Sequence, residues 1–127
     1  LGIDWGERKI GVALAHAETH VAMPYAIFPH DAELFSKLET LIAQEEVGTV
    51  VLGIPRYRGT GGTHPAQVWG EKLRQKLEIR VEYADEMFTT KLAQDTLKLL
   101  GGKVLGKHDD AEAAKILLQG WIDARAV

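Results

Sequence analysis

The chain has 127 residues and a formal net charge of −3, from 15 Lys and Arg against 18 Asp and Glu. Its 46% hydrophobic and 26% charged residues are typical of an ordinary globular protein and exclude a disordered one. No run approaches the roughly 18 apolar residues of a transmembrane helix, and no Cys is present for disulfides or thiolate metal sites. We therefore expect one domain over residues 1–127, truncated at its N-terminus within a strand, with no membrane partner and a cytoplasmic location.

Three antiparallel strands are predicted in the first part of the chain. The apolar runs Leu1–Trp5 and Ile10–Ala15 flank a short polar turn, a pattern typical of a hairpin. A third strand is predicted over Val21–Phe28, where Pro24 indicates an edge position or a bulge.

The rest of the chain alternates between helices and strands. Asp31 is the predicted N-cap of a helix that runs to about Glu45. Further elements are then predicted in this order: strand Thr49–Ile54, a helix from Pro65 with Ala66, Trp69, Leu73 and Leu77 on its core face, strand Ile79–Tyr83, a helix from Thr89 or Thr90 to Leu100, and a helix Asp110–Arg125 with Trp121 in the core. This order predicts an α/β fold: a mixed five-stranded sheet, with an antiparallel hairpin extended by parallel strands, and helices packed on it.

Three acidic residues stand at the ends of predicted elements. Asp4 ends the first strand, Glu86 follows the strand over residues 79–83, and Asp110 begins the last helix. Carboxylates buried together lose hydration and repel one another, and the sequence places no Lys or Arg beside all three. A bound divalent cation would remove that cost. The pattern therefore indicates a metal site with oxygen ligands only, which suits Mg²⁺ or Mn²⁺ rather than zinc. Sites of this kind mostly catalyse reactions of phosphate groups.

Each acid also has a purely structural interpretation. Asp4 could be a turn residue, although its strand is apolar enough to be central and covered on both faces. Glu86 and its neighbour Asp85 could be solvated turn acids. Asp109 and Asp110 could simply cap the helix and favour its dipole. We choose Asp109 as the cap and Asp110 as the inward-facing ligand, since it shares a helical stripe with positions 113, 114, 117, 118 and 121.

Four segments of the sequence resemble one protein family. IDWGERKIGVAL, VVLGIP, DEMFTT and KHDDAEAAKILLQGWID are similar, in the same order, to the motifs of the YqgF-like (RuvX-type) proteins. The resemblance implies a ribonuclease-H-like fold and a metal-dependent nuclease related to the RuvC-type Holliday junction resolvases. The family is described both as Holliday junction resolvases and as nucleases that process the 5′ end of pre-16S rRNA, which makes nucleic acid the expected partner.

The resemblance also implies roles for particular residues. The family's acidic triad falls on Asp4, Glu86 and Asp110, and Asp4 would bridge two Mg²⁺ or Mn²⁺ ions. Two departures are Met87, where the family has Arg, and Trp5, where it often has Pro. Because the Arg is missing, an alternative function is a module that binds nucleic acid but catalyses its cleavage only weakly. Cutting of a Holliday junction would need a symmetric pair of active sites and hence a homodimer.

Basic residues in turns and loops are candidates for phosphate contact. Arg8 and Lys9 lie in the predicted hairpin turn, Arg56 and Arg58 follow the strand over residues 49–54, and Lys107 precedes the last helix. The alternative for each is an ordinary solvated charge. Because the net charge is negative, any phosphate-binding surface must be a local patch around the acidic centre.

Overall fold

A computed structural model describes residues 1–16, 18–54, 64–85 and 110–125. In the described residues, the elements in chain order are β1 (Gly2–Asp4), β2 (Lys9–Ala15), β3 (Ala22–Pro29), α1 (Leu34–Gln44), β4 (Thr49–Ile54), α2 (Pro65–Leu77), β5 (Arg80–Asp85) and α3 (Asp110–Arg125). None of the helices in these ranges is long and apolar enough to cross a membrane. The helix predicted from Thr89 or Thr90 to Leu100 lies outside the described residues.

The strands form one mixed sheet in the order β3-β2-β1-β4-β5. The pairs β1–β2 and β2–β3 are antiparallel, whereas β4 and β5 run parallel to β1. The predicted mixed five-stranded sheet is therefore confirmed, and so is the central position of the first strand. The interpretation of Pro24 is also confirmed, because β3 is an edge strand and its register with β2 shifts between Val12 and Ala13, opposite this proline.

Several predicted boundaries need correction. β3 begins and ends one residue later than predicted, and β2 gains Lys9, because Lys9 pairs with Pro29 across the hairpin. β5 continues to Asp85, which pairs with Ile54 of β4. The predicted strands stop before polar residues. In the structure, the hydrogen-bonded ladder includes such residues wherever the neighbouring strand has a residue opposite them.

Asp31 is not the N-cap of α1, contrary to the prediction. The helix begins at Leu34 with Glu33 at the cap position, and no side chain caps it. Asp31 instead accepts a hydrogen bond from the backbone N–H of Glu33 at 3.0 Å, in a turn that precedes the helix. This is the local side-chain to backbone bond that Asp forms in turns, and it leaves the residue too early in the chain to cap the helix.

The large hydrophobic core lies between the sheet and helices α1 and α2. It combines branched aliphatic residues of the inner strands with one face of each helix, and Trp69 is only 7% exposed there, as predicted. Its buried members are Leu1, Ile3, Ile10, Val12, Leu34, Leu38, Leu41, Val50, Leu52, Trp69, Leu73 and Ile79.

The opposite face of the sheet is lined by small residues, and α3 packs directly on it. A Cβ added to Gly2 would lie 2.7 Å from Leu118 Cβ, and one added to Gly53 would lie 2.8 Å from a methyl group of Leu117. At Gly11 an added Cβ would overlap the carbonyl group of Asp110. Glycine is therefore needed at Gly11 because the helix backbone itself, rather than a side chain, rests on the strand.

The predicted inward stripe of α3 is confirmed at Ala114, Leu117 and Leu118 but is wrong at its start, where Ala111 rather than Asp110 is buried. The buried positions are Ala111, Ala114, Leu117 and Leu118, whereas Asp110 and Trp121 are only partly buried. The reason lies in the close approach at Gly11: where the backbone of the first turn touches the sheet, the small Ala111 fits beneath the helix. The side chain of Asp110 is left at the edge of the contact.

We predict that Gly11→Ala destabilises the protein and Gly48→Ala does not. The methyl group at position 11 has to displace the first turn of α3, at a cost of about 1–3 kcal/mol or more in the free energy of unfolding. A Cβ at position 48 meets nothing within 4 Å. Urea denaturation of both variants checks this, and equal stabilities would contradict the close contact.

Candidate active site

Asp4 ends the central strand between two glycines of the neighbouring strands. It pairs with Gly11 of β2 and with Gly53 of β4, neither of which carries a side chain. Since Gly2 faces α3, and strand residues two apart share a face, the half-buried Asp4 lies on the α3 side of the sheet. The carboxylate therefore lies on the face of the sheet against which α3 packs.

The first turn of α3 brings Asp110 next to Asp4. The carbonyl group of Asp110 lies directly over Gly11, the residue that pairs with Asp4 across the β1–β2 ladder. One strand spacing of about 5 Å separates such ladder partners, so the two acids are neighbours at one edge of the sheet. Asp110 and Glu112 in the first turn also interact favourably with the positive end of the helix dipole.

Lys9 supplies a cation at this edge. Its Nζ lies 3.3 Å from Asp110 Oδ2, with the side chain of Lys9 63% exposed and that of Asp110 27% exposed. Oδ2 is itself buried and, among the described residues, accepts no hydrogen bond, so the contact with Lys9 is an ion pair without hydrogen-bond geometry. The expectation that the acids lack a basic neighbour is therefore wrong for Asp110. Strand alternation puts Lys9 and Gly11 on one face, but the sequence does not show that α3 packs on that face.

His30 holds the hairpin turn that follows Asp4. Its backbone N–H donates to the carbonyl of Arg8 at 2.9 Å. Its Nδ1 lies 2.7 Å from the carbonyl oxygen of Gly6, and since a carbonyl only accepts, Nδ1 carries the proton. Sequence analysis did not single out His30. The available signal was its position directly after β3, opposite the turn of the preceding hairpin.

Aromatic contacts support the same strand end from the other face of the sheet. The Trp5 ring meets His30 and His64 edge to face, each at 5.8 Å between centroids, and His30 similarly meets Trp69 at 6.1 Å. His64 also caps α2, since its Nδ1 accepts from the backbone N–H of Ala66 at 3.0 Å. Trp5, a departure from the motif, therefore packs within this cluster.

The remaining predicted site residues fall into two groups. Arg8 and Lys9 are exposed in the turn and at the start of β2, at the same edge as Asp4. Four others lie outside the described residues: Glu86, Arg56, Arg58 and Lys107. Within the described ranges no three His, Asp or Glu side chains form a metal-binding group, and only two of the three predicted ligands are among them.

Comparison with known proteins identifies the family. The family described as "RuvX: Holliday junction resolvase" matches residues 1–124. The chain belongs to the RuvX family. Among its relatives, a protein of Orientia tsutsugamushi named "Putative pre-16S rRNA nuclease" is 36% identical, over 96% of this chain and 82% of its own length. A protein of the same name from an Anaeromyxobacter species is 37% identical, over 98% of this chain and 96% of its own.

Solved structures show the fold of this RuvX-family chain. The RuvC structure of Thermus thermophilus matches with a TM-score of 0.58 and 13% identity, covering 98% of this chain and 94% of that one. The resolvase of fowlpox virus, solved with Holliday junction DNA, matches with a TM-score of 0.59 and 10% identity, covering 99% and 97%. The ribonuclease-H-like fold implied by the sequence motifs is confirmed.

We predict that His30→Ala destabilises the turn between β1 and β2, next to Asp4. The variant loses the Gly6 hydrogen bond and two ring contacts, so the free energy of unfolding should fall by about 1–2 kcal/mol. His16→Ala is the control, because His16 is exposed. Urea denaturation measures both, and equal effects would show that the His30 ring does not hold the turn.

Proposed function

We propose that this RuvX-family protein is a metal-dependent nuclease that hydrolyses phosphodiester bonds in the 5′-end processing of pre-16S rRNA. The observation that carries the proposal is the seating of α3 on Gly11, which brings Asp110 beside Asp4. The relatives named as pre-16S rRNA nucleases support the choice of substrate. The location that goes with this role is the cytoplasm.

The residues at this edge suit a hard divalent cation. Asp4 and Asp110 offer carboxylate oxygens, the ligands that Mg²⁺ and Mn²⁺ prefer. Oδ2 of Asp110 is buried and accepts no hydrogen bond among the described residues, which leaves it able to coordinate a metal ion. When bound, divalent ions activate water and neutralise charge on the phosphate.

We assign Glu86 as the third ligand. The parallel strands β1, β4 and β5 end at the same edge of the sheet. Glu82 of β5 forms an ion pair with Arg125 of α3. Ala84 packs against the hydrophobic cluster between the sheet and that helix, which consists of Ala13, Ala22, Val51, Ala114 and Leu118. Glu86 follows in the sequence at the same two-residue spacing, which in a strand returns to the same face. In this assignment Asp4, Asp110 and Glu86 would together hold the divalent ions, which would activate the attacking water.

The basic residues would bind the substrate backbone. Arg8 and Lys9 lie on the turn held by His30, so their backbone positions are defined before nucleic acid arrives. Phosphate contacts of this kind position a substrate without reading its sequence. We assign the same role to Arg56, Arg58 and Lys107.

A second candidate function is resolution of Holliday junctions. It is favoured by the description of the family and by the resolvases with the same fold, two of which were solved with junction substrates. Junction cutting would need two active sites and hence a homodimer. Met87 in place of the motif's Arg keeps a third possibility, a binding module with weak turnover, as an outcome of the same test.

Cleavage assays with Mn²⁺ test the function. Purified protein is offered an RNA carrying the pre-16S 5′ leader, an unrelated single-stranded RNA and a four-way DNA junction. Selective cutting of the leader supports rRNA processing, and selective cutting of the junction supports resolution. Binding without cleavage of any substrate would leave only the binding module.

Substitution of the two described acids should remove cleavage. We expect Asp4→Asn and Asp110→Asn each to lower kcat by on the order of 10²-fold or more, because each removes a charge that holds the metal. Asp123→Asn is the matched control, since Asp123 is exposed near the far end of α3. Retained activity in both site variants would contradict the assignment.

Metal should also stabilise the fold. A ligand that binds only the folded state at 100 times its Kd adds about 2.7 kcal/mol, so saturating Mn²⁺ should raise the Tm of the wild type. Asp110→Asn should show a much smaller rise, and Asp123→Asn the full one. Scanning fluorimetry with and without EDTA measures this, and an equal rise in all three proteins would place the metal elsewhere.

A further inference from the structure

We propose that Lys9 is a built-in counter-ion of the catalytic acids: its ammonium neutralises Asp110 in the metal-free protein and is displaced when a divalent cation binds. The inference rests on the proposed function, because it takes Asp110 as a metal ligand. It assigns Lys9 a role toward the metal that is separate from contact with substrate.

The geometry places the ammonium at the oxygen that a metal would use. Lys9 Nζ lies 3.3 Å from Oδ2 of Asp110, and this oxygen is buried and without a hydrogen bond among the described residues. The two residues are brought together by backbone packing, since Lys9 is two positions before Gly11, on which the Asp110 carbonyl group rests. A small cation on Oδ2 would therefore occupy the space that Nζ holds.

The two partners differ in how easily they can move. The Lys9 side chain is 63% exposed at the start of β2, so its ammonium can leave the pair and regain full hydration. The carboxylate belongs to the first turn of a helix fixed on the sheet, and its side chain is only 27% exposed. Lys9 is therefore the exchangeable member of the pair.

The two cations of α3 that the structure describes here, Lys115 and Arg125, do not substitute for Lys9. Lys115 pairs with Glu112 at 3.3 Å, and Arg125 at the far end of α3 pairs with Glu82 at 3.3 Å. An ammonium and a divalent ion at the same buried oxygen repel each other strongly where water is scarce. Metal bound at Oδ2 therefore competes with the Lys9–Asp110 pair.

Mn²⁺ titration calorimetry tests the exchange in the full chain. Removing the competing charge in Lys9→Met should lower the Kd for Mn²⁺ by about two- to fivefold, the range expected for an ion pair with one exposed partner. Lys9→Gln should act in the same direction. Lys115→Met, which removes a lysine paired to Glu112 on the same helix, should leave the Kd unchanged. An unchanged or higher Kd in both Lys9 variants would overturn the proposal.

A double-mutant cycle without metal tests the counter-ion itself. In EDTA, Lys9→Met should lower the Tm of the wild type, because the acids lose their neutralising charge. In the Asp110→Asn background the same change should have no effect. Equal losses in both backgrounds would overturn the proposal while leaving the nuclease intact. Failure of wild-type protein to bind Mn²⁺ would overturn both the metal-dependent function and the exchange, so the two failures are distinguishable.

Discussion

The acidic edge is the edge of the sheet at which Asp4 and Asp110 lie. Its arrangement depends on the contact between the first turn of α3 and Gly11. A helix usually meets a sheet through side chains, which keep the two backbones apart. Here the carbonyl group of Asp110 lies where a Cβ of residue 11 would be. Because residue 11 pairs with Asp4, this contact brings two acids that are more than a hundred positions apart in the chain to the same place. Any larger residue at position 11 would separate them.

The two faces of the sheet differ in the size of their side chains and in what they contribute to the structure. The face toward α1 and α2 carries branched aliphatic residues and Trp69, and burial of this large apolar surface contributes most of the stability. The face toward α3 carries Gly and Ala, which add little burial but allow close approach. Asp4 and Trp5, adjacent in the chain, point to opposite faces, so the strand end joins the acidic edge to the aromatic cluster.

Local patterns in the sequence predicted much of the fold and part of the site. The bounds of β4 and α3 and the start of α2 at Pro65 follow from periodicity and short-range chemistry, and the structure has them as predicted. Long-range packing was not accessible in the same way. The ion pair of Lys9 with Asp110 and the burial of Ala111 rather than Asp110 depend on how closely the helix approaches Gly11, which no single-segment pattern encodes. Whether Glu86 completes the site stays a prediction, since it lies outside the described residues.

The attachment of α3 has a consequence for the response of the protein to heat. Its first turn is held by a backbone contact with Gly11 and an ion pair with a solvent-exposed lysine, whereas the large aliphatic core lies beyond the sheet. Within the described residues, opening of that turn would expose the small Ala111 and none of the large aliphatic core, so we expect it to require less free energy than global unfolding. Catalytic competence would then decline through fraying of one helical turn at temperatures where the sheet is still intact, and would return on cooling without refolding of the core.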